Sequence, residues 1–311
     1  MTSGIAYSRA LKVRLGPAGV HVFDRRSSLN LLLDELGPPR SMWSLAPRQI
    51  SVALTNACDL ACPYCYAPKS PGRLAADTLL LWLSELDRHG CLGVGFGGGE
   101  PTLYRGFTQL CRAVSEQTGL AVTFTTHGHR LDDAMCAELS GVVNFIRVSM
   151  DGIGTTYERL RGRRFADLRA ALGRVRSVSP FGVNYVVNAD TVGMLDAAVD
   201  VASEAGAEEF LLLPEQPTDG RAGISGQVAS SMRDWVSRYK GPIRLTVSTA
   251  GADGLPACAP VPAERPLDAY AHIDARGVLK GSSFDSDGVA IDDDGVLAAL
   301  RRLRQRSEGQ G

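Results

Sequence analysis

Six short apolar runs, separated by stretches with helical spacing, dominate the sequence between Gln49 and Glu215. They are QISVALT (49–55), GVGFGGG (93–99), AVTFTTH (121–127), FIRVSMD (145–151), GVNYVVN (182–188) and EFLLLPE (209–215). Most are rich in β-branched or aromatic residues, which is typical of buried strands. Six strand–helix repeats predict parallel strands joined by right-handed crossovers. We therefore expect an α/β fold, a partial (β/α)6 TIM-like barrel, with a doubly wound sheet as the alternative.

The stretches between the runs carry apolar residues at helical intervals. In segment 75–90, Leu79, Leu83 and Leu86 fall on one helical face, and Leu195 and Val199 do so after the fifth run. One apolar stripe of this kind packs a helix against a sheet. The pattern therefore supports helices that cover the outside of the barrel.

Polar or small residues follow each run at its carboxyl end. They are the cysteines after the first run, Gly97 to Pro101 after the second, Thr125 to Gly128 after the third, Ser149 to Gly152 after the fourth, Asn188 after the fifth and Pro214 to Gln216 after the sixth. In α/β barrels the reactive groups lie at the carboxyl ends of the strands. These positions together predict one rimmed pocket.

Three of the seven cysteines lie within eight positions, at Cys58, Cys62 and Cys65. A structural zinc site prefers four ligands, usually as two pairs, and the other cysteines are scattered. A zinc knuckle, or thiols buried as small apolar groups, are the alternatives. Three thiolates in one loop suit a cubane iron–sulfur cluster whose fourth iron is left free for another ligand.

Charge and composition narrow the functional classes. Lys and Arg total 33 and Asp and Glu total 34, giving a net charge of −1. This balance gives no support for binding to nucleic acid or to a membrane surface. The first residues, MTSGIAYSRALKVRL, lack the apolar core of a secretory signal, and no run approaches the ~20 apolar residues of a membrane helix. We expect a cytoplasmic protein whose thiols stay reduced.

The cysteine spacing and two later motifs resemble those of the radical SAM superfamily. The C-x3-C-x2-C loop, with Tyr64 before its last cysteine, is similar to the family's cluster loop, and GGEP at 98–101 is similar to a family motif after the second strand. TTHG at 125–128 resembles the family's TTNG, with His127 in place of Asn, and VSMDG at 148–152 followed by Arg161 is also similar. The resemblance covers roughly residues 49–215.

This resemblance implies one [4Fe-4S] cluster held by Cys58, Cys62 and Cys65, and S-adenosylmethionine (SAM) bound to its open iron. An electron from the cluster then cleaves SAM to a 5′-deoxyadenosyl radical, which takes a hydrogen atom from the substrate. The residues expected to contact SAM are Tyr64, Gly98, Gly99, Glu100, Thr126, Ser149, Arg161 and Asn188. Of these, Glu100 is expected to accept the ammonium group, Arg161 to pair with the carboxylate and Tyr64 to lie against the adenine.

The flanks suggest three parts, with boundaries at 1–48, 49–241 and 242–311. The first is expected to be a short β-hairpin and a linker, because Leu11, Val13 and Leu15 alternate before a GPAG turn. The second is the radical SAM barrel. In the third, AYAHIDARGVLKGSSF (269–284) resembles the hairpin of SPASM or Twitch extensions, but Ser282 stands at the expected cysteine. We therefore expect a degenerate extension without a cluster.

The leading functional hypothesis is a radical SAM enzyme, an oxidoreductase, isomerase or lyase, that modifies a peptide or natural-product intermediate. A flavodoxin or ferredoxin is the expected electron donor. Cys258 is a candidate catalytic hydrogen donor in an epimerisation, with cross-linking as the alternative outcome. An activase for a glycyl-radical enzyme and a non-enzymatic iron–sulfur or zinc protein are the competing functions.

Overall fold

A computed structural model describes residues 11–218, 220–255, 261 and 264–309. The strands are β1 (Leu11–Gly16), β2 (Gly19–Asp24), β3 (Leu29–Leu33), β4 (Gln49–Thr55), β5 (Gly93–Gly98), β6 (Ala121–Thr126), β7 (Phe145–Ser149), β8 (Phe181–Val187), β9 (Glu209–Pro214), β10 (Arg244–Val247), β11 (Tyr270–Ile273), β12 (Val278–Lys280) and β13 (Val289–Ala290).

The α-helices follow most of the strands of the main sheet. They are α1 (Ala76–Arg88), α2 (Phe107–Gln117), α3 (Asp133–Leu139), α4 (Gly154–Arg161), α5 (Phe165–Arg176), α6 (Leu195–Glu204), α7 (Gly226–Arg238), α8 (Pro266–Ala269) and α9 (Val296–Glu308). Short 3-10 helices span Arg40–Met42, Pro101–Leu103, Val192–Met194 and Thr249–Gly251. None of the helices in the described ranges has the length and apolarity that a membrane span requires.

The main sheet places the six predicted strands side by side in sequence order. Its full order is β10-β9-β8-β7-β6-β5-β4-β11-β12-β13, and the neighbours from β10 to β11 are all parallel. The sheet ends at β10 on one side and β13 on the other, so the described strands form an open barrel. This confirms the predicted fold class, and the structure adds a parallel strand at each edge.

The two faces of each strand have different surroundings. On β4, Ile50, Val52 and Leu54 are at most 1% exposed and face the helices. Helix α1 buries Leu79 and Leu83 on its side of this layer, as their spacing predicts. The concave face carries small and polar residues that are half-buried: Gln49, Ser51, Gly95, Thr123, Thr125, Ser149 and Asn184. The barrel interior is therefore open to a ligand, while the helix layer is closed.

The N-terminal part is a three-stranded antiparallel sheet, where the sequence predicts a hairpin. The predicted β1–β2 pair forms, with Val13 opposite Val22, and β3 adds a third strand. Basic side chains attach this sheet to the amino-terminal end of the barrel: Arg14 donates to the carbonyl of Ala46 at 2.6 Å, and Arg25 to that of Leu120 at 2.8 Å. It therefore lies at the end of the barrel opposite the cysteine loop.

The residues after 241 contribute to the barrel sheet on both edges. Strand β10 runs parallel to β9, and β11 runs parallel to β4, with His272 opposite Ser51. The hairpin β11–β12 is the segment that resembles a SPASM or Twitch extension. A domain boundary between residues 241 and 242 stays a prediction. The strands before and after this position belong to the same sheet.

Candidate functional site

The three clustered cysteines lie in the loop between β4 and α1, at the carboxyl end of the barrel. Cys58 is exposed, and Cys62 and Cys65 are half-buried; the amide of Cys65 donates to the carbonyl of Cys62 at 3.1 Å. The other cysteines of the described ranges, Cys91, Cys111 and Cys136, are buried, as expected of structural residues. Cys258 lies outside the described residues.

Two glycines at the end of β5 hold the cysteine loop close to the sheet. Gly98 has φ +125°, and a Cβ there would lie 2.3 Å from the carbonyl oxygen of Thr55. A Cβ at Gly99 would lie 2.2 Å from the carbonyl oxygen of Ala57, which also accepts from the amide of Glu100 at 2.8 Å. Both positions thus require glycine so that the loop can approach β5. Their predicted role, leaving room for a methionine, stays a prediction.

Glu100 is 1% exposed, and its carboxylate binds the end of the neighbouring strand β6. Oε1 accepts from the hydroxyls of Thr102 at 2.6 Å and Thr126 at 2.7 Å, and Oε2 accepts from the amide of His127 at 2.9 Å. Two predicted SAM contacts, Glu100 and Thr126, are thereby brought together. The carboxylate is held rigidly by donors within the protein.

A second network surrounds Asp151, which is fully buried after β7. Its Oδ2 accepts from the hydroxyl of Tyr64 at 2.6 Å and pairs with Arg161, while Oδ1 accepts from the amide of Val186 at 2.7 Å. Nη1 of Arg161 also lies 3.4 Å from Sγ of Cys62. This network therefore joins two predicted SAM contacts to a predicted cluster ligand.

The charges in this network shift the pKa values of its members. Burial alone would lower the pKa of Arg161, but the Asp151 carboxylate outweighs it and raises that pKa above its usual value. Burial, together with the charge of Asp151, raises the pKa of Tyr64. Burial also raises the pKa of the Cys62 thiol, and the nearby Arg161 opposes this rise. Arg161 therefore remains a cation beside a potential thiolate.

Ser149 and Asn188, the remaining two predicted SAM contacts, lie outside the two hydrogen-bond networks described above. Ser149 ends β7 on the concave face, half-buried and in register with Asn184. The side chain of Asn188 is 4% exposed, donates to Glu215 at 2.8 Å and accepts from the hydroxyl of Thr191 at 3.1 Å. Asn188 thus has a structural role at the end of β8, and its contact with SAM stays a prediction.

Two acidic residues that support the site were not among the predicted site residues. Asp151 belongs to the VSMDG motif and directly follows a predicted strand, a position from which a role in the site could have been predicted. Asp59 directly follows Cys58, and its Oδ1 lies 2.8 Å from Nε2 of His127. Its position next to Cys58 could have indicated a role in the site, but its contact with His127 cannot be predicted from the local sequence.

The donor set fits a cluster better than a single ion. Three cysteines sit on one loop, and Arg161 supplies a neighbouring positive charge. Within the described ranges, the group whose potential ligand atoms all lie within 4.8 Å of one another is Cys58, Asp59 and His127, without Cys62 or Cys65. The three thiols are thus not gathered on one point, as a single ion would require, and a cubane has separate irons for separate thiolates. Nε of Arg161 is buried with no protein partner, so the site retains a donor for an acceptor group.

Comparisons with known proteins agree with this geometry. Residues 52–202 match the radical SAM superfamily. The chain is 28% identical over 198 residues to "Sporulation killing factor maturation protein SkfB" of Bacillus subtilis (strain 168), covering 61% of this chain and 48% of that protein. It is 31% identical over 172 residues to "Mycofactocin maturase MftC" of Mycobacterium ulcerans (strain Agy99), covering 52% of this chain and 46% of that protein. The chain thus spans about half the length of these curated relatives.

Among solved structures, the fold is similar to that of Streptococcus suis SuiB bound to precursor peptide SuiA. The TM-score is 0.75 at 13% identity, covering 94% of this chain and 87% of that chain. At this identity the likeness supports the fold alone. The superfamily match, together with the cysteine loop, identifies a [4Fe-4S] cluster and SAM as the cofactors of this domain. Residues 52–202 of this chain are therefore a domain of the radical SAM superfamily.

Proposed function

We propose that the chain is a radical SAM enzyme that removes a hydrogen atom from a ribosomally made peptide or a related natural-product intermediate. The main observation behind this proposal is the position of the three-cysteine loop at the carboxyl end of the open barrel. The loop packs closely against Gly99 at one point and contacts Arg161 through Cys62 at another. Two relatives are named as a maturation protein and a maturase, and one structural neighbour was solved with a precursor peptide; these facts support a peptide substrate.

The protein's own residues bind and orient the cofactors in this proposal. When bound, the cluster and SAM supply a 5′-deoxyadenosyl radical that takes a hydrogen atom. Cys58, Cys62 and Cys65 would hold the cluster, Glu100 would accept the ammonium group of SAM, and Arg161 would direct its free Nε–H toward the carboxylate. Tyr64 would lie against the adenine, and Thr126, Ser149 and Asn188 would be further SAM contacts.

The concave face of the sheet provides the space for the substrate. Ser51, Gly95 and Thr123 on this face are half-buried, whereas the helix-facing residues of the same strands are almost completely buried. Small side chains leave room inside the barrel, and the helix layer excludes water from its outer side. An extended peptide entering the open barrel would meet the cysteine loop at the carboxyl ends of the strands.

The reaction outcome and the electron donor form the finer part of the proposal. A flavodoxin or ferredoxin supplies the electron. After hydrogen abstraction, the substrate radical would either take a hydrogen atom on its other face from the Cys258 thiol, leaving a thiyl radical that one electron from the flavodoxin or ferredoxin and one proton return to the thiol, or form a cross-link with loss of one proton and of one electron to such an electron-transfer protein. Product formed in deuterated water distinguishes them, because a thiol exchanges with solvent and an epimerised product would gain one deuterium. A product without deuterium from the solvent would exclude epimerisation with Cys258 as the hydrogen donor.

Release of 5′-deoxyadenosine by the reduced, reconstituted protein tests the activity. We expect about four irons and four sulfides per chain, as one cubane requires, and SAM-dependent release of 5′-deoxyadenosine measured by mass spectrometry. The variant with Cys58, Cys62 and Cys65 all changed to Ala should lose both. Cys111→Ala and Cys136→Ala are matched controls, since these thiols are buried in the helix layer. About eight irons, or cluster remaining in the triple variant, would contradict the single-cluster proposal.

Transfer of deuterium tests the substrate class separately. Short peptides encoded beside the gene, made with deuterated residues, should pass deuterium to 5′-deoxyadenosine and lose or rearrange hydrogen themselves. SAM cleavage that no such peptide accelerates, with no change in any peptide's mass, would keep the radical SAM activity and reject the peptide substrate. Absence of SAM cleavage in the loaded protein would reject the enzyme itself.

A further inference from the structure

His127 occupies the gap between the cysteine loop and Glu100. Its side chain follows β6 and the residue is 4% exposed. Nε2 lies 2.8 Å from Oδ1 of Asp59 and 3.4 Å from Oε2 of Glu100, and the backbone amide of His127 donates to that same Oε2 at 2.9 Å. One buried residue thus contacts both the loop that carries the cysteines and the carboxylate expected to bind SAM.

The hydrogen-bond pattern around the imidazole determines which nitrogen carries the proton. The amide of His129 donates to Nδ1 of His127 at 3.1 Å, so Nδ1 acts as an acceptor. In a neutral imidazole the other nitrogen then carries the hydrogen, so Nε2 donates to Asp59. The ring is therefore held from behind by the backbone and directed toward the cysteine loop.

Asp59 links this contact to the cluster, because it directly follows Cys58. The tips of Arg130 and Arg163 each lie 3.5 Å from its Oδ2, but both of these side chains are more than 40% exposed. Exposed charges at this distance hold a loop weakly. The buried imidazole of His127 thus adds a side-chain attachment at Asp59, next to the backbone hydrogen bond from the amide of Glu100 to the carbonyl of Ala57 at 2.8 Å.

From these contacts we propose that His127 is a positioning residue that orients Asp59, directly after Cys58, relative to the carboxylate of Glu100. This inference rests on the proposed function, in which Glu100 binds the SAM ammonium and the loop binds the cluster. The position is occupied by Asn in the family motif that TTHG resembles. A longer imidazole lets this chain connect Asp59 and Glu100 through one side chain.

A role for His127 as a metal ligand is the competing interpretation, because Cys58, Asp59 and His127 bring three ligand atoms within 4.8 Å of one another. A ligating nitrogen must offer a lone pair to the metal. Here Nδ1 accepts an amide hydrogen and Nε2 carries its own hydrogen toward Asp59. The two interpretations predict opposite metal contents for a variant without the ring.

His127→Ala, studied in the reconstituted protein under anaerobic conditions, tests the inference. We expect the iron and sulfide content of the wild type, because the three cysteines remain. We expect SAM affinity, measured by equilibrium dialysis, to fall about tenfold or more, since Asp59 and the carboxylate of Glu100 lose the side chain that contacts both of them. The EPR spectrum of the reduced cluster should also respond differently to added SAM. His127→Asn should recover part of the affinity.

Two further variants keep the result interpretable. His129→Ala is the matched control: it removes a ring that lies 5.3 Å from the ring of His127 and hydrogen-bonds to Tyr157, but it keeps the backbone amide that donates to Nδ1 of His127. It should bind SAM like the wild type. Asp59→Ala removes the same contact from the loop side, so its EPR spectrum should respond to added SAM in the way expected of His127→Ala. This variant therefore tests the inference even if His127→Ala folds poorly.

Each outcome separates this inference from the proposed function. Wild-type SAM affinity and an unchanged EPR response in His127→Ala or Asp59→Ala would overturn the positioning role while leaving the proposed function intact. Loss of iron in His127→Ala, with the fold retained, would make His127 a ligand and also overturn it. A wild-type protein that binds no cluster or no SAM would reject the proposed function itself.

Discussion

Nη1 of Arg161 lies 3.4 Å from Sγ of Cys62, so a guanidinium stands directly beside one of the three loop thiols. The other end of the same guanidinium pairs with Asp151, whose side chain is 1% exposed. A buried carboxylate needs this partner, because an unpaired buried charge is strongly unfavourable. Asp151 therefore fixes Arg161 in place at the cysteine loop.

The first prediction concerns this buried pair. Arg161→Gln should reduce the free energy of unfolding by about 3 kcal/mol, because Asp151 would keep its charge without a cation. The double variant Arg161→Gln/Asp151→Asn should recover a substantial part of that loss. Urea denaturation of the metal-free protein measures both values.

Arg159→Gln is the matched control for this cycle. Arg159 pairs with Asp190 on the surface at 2.9 Å, with side chains 59% and 39% exposed. Exposed pairs contribute about 0–1 kcal/mol, so this change should have little effect. If the loss in the double variant equalled the sum of the losses in Arg161→Gln and in Asp151→Asn measured singly, the two residues would not be a coupled buried pair.

The second prediction concerns Glu100. Glu100→Gln should weaken SAM binding by at least about tenfold, because a charge-assisted hydrogen bond contributes roughly 1.5–3 kcal/mol. The cluster should be spared, since iron binding depends on the cysteines. SAM affinity and iron content of the reconstituted protein measure the two effects.

The internal bonds of Glu100 require a control for this variant. An amide cannot accept hydrogen bonds at its nitrogen, so one donor among Thr102, Thr126 and His127 loses its partner. Thr102→Val removes one donor while the carboxylate stays, and should reduce SAM affinity much less. Unchanged affinity in Glu100→Gln would remove Glu100 from the site.

The third prediction concerns Gly99. Gly99→Ala places a Cβ 2.2 Å from the backbone oxygen of Ala57, so the cysteine loop must move. We expect a loss of about 1–3 kcal/mol in stability and incomplete cluster assembly. Gly97→Ala is the control, because its Cβ would meet no atom within 4 Å. Equal cluster content in the two variants would argue against a close-packed loop.

The fourth prediction concerns His272 on β11. The pKa of His272 is lowered to about 4, mainly by burial; Asp274 opposes this shift and Lys280 adds to it. In the unfolded chain the imidazole has a pKa near 6.5. Between pH 6.5 and 4 it is therefore protonated in the unfolded state and neutral in the folded state. Stability contributed by the neutral ring is therefore lost as the pH falls through this range, by up to about 3 kcal/mol. Denaturation curves at pH 7 and pH 4 should differ less for His272→Gln than for the wild type; parallel losses would exclude His272 as a source.

The barrel strands were predictable because each reads as a local apolar run. The runs at 49–55 and 93–99 become β4 and β5, and their neighbouring positions Ile50 and Val94 lie in register. The helical spacing of Leu79, Leu83 and Leu86 likewise places them in the core. Burial on one or both faces imposes these patterns residue by residue, so the sequence alone reveals them.

Other features depend on contacts that no local pattern encodes. Strand β3 carries Leu29, Leu31 and Leu33 on its exposed side, each at least 38% exposed, so its apolar residues do not mark a buried face. The pairing of β11 with β4 joins distant parts of the chain. The same holds for the contact of His127 with Asp59, which depends on how two loops meet in space.

The pairing of β11 with β4 has a consequence for the order in which the protein matures. Strand β4 leads into the cysteine loop, yet its second neighbour consists of residues 270–273, more than 200 positions later. Contacts of such high sequence separation form late, because a long loop must close first. During synthesis β4 therefore remains a sheet edge until the C-terminal segment leaves the ribosome, and an unpaired edge is prone to wrong pairing. The sheet beside the cysteine loop is therefore complete only after β11 has paired with β4.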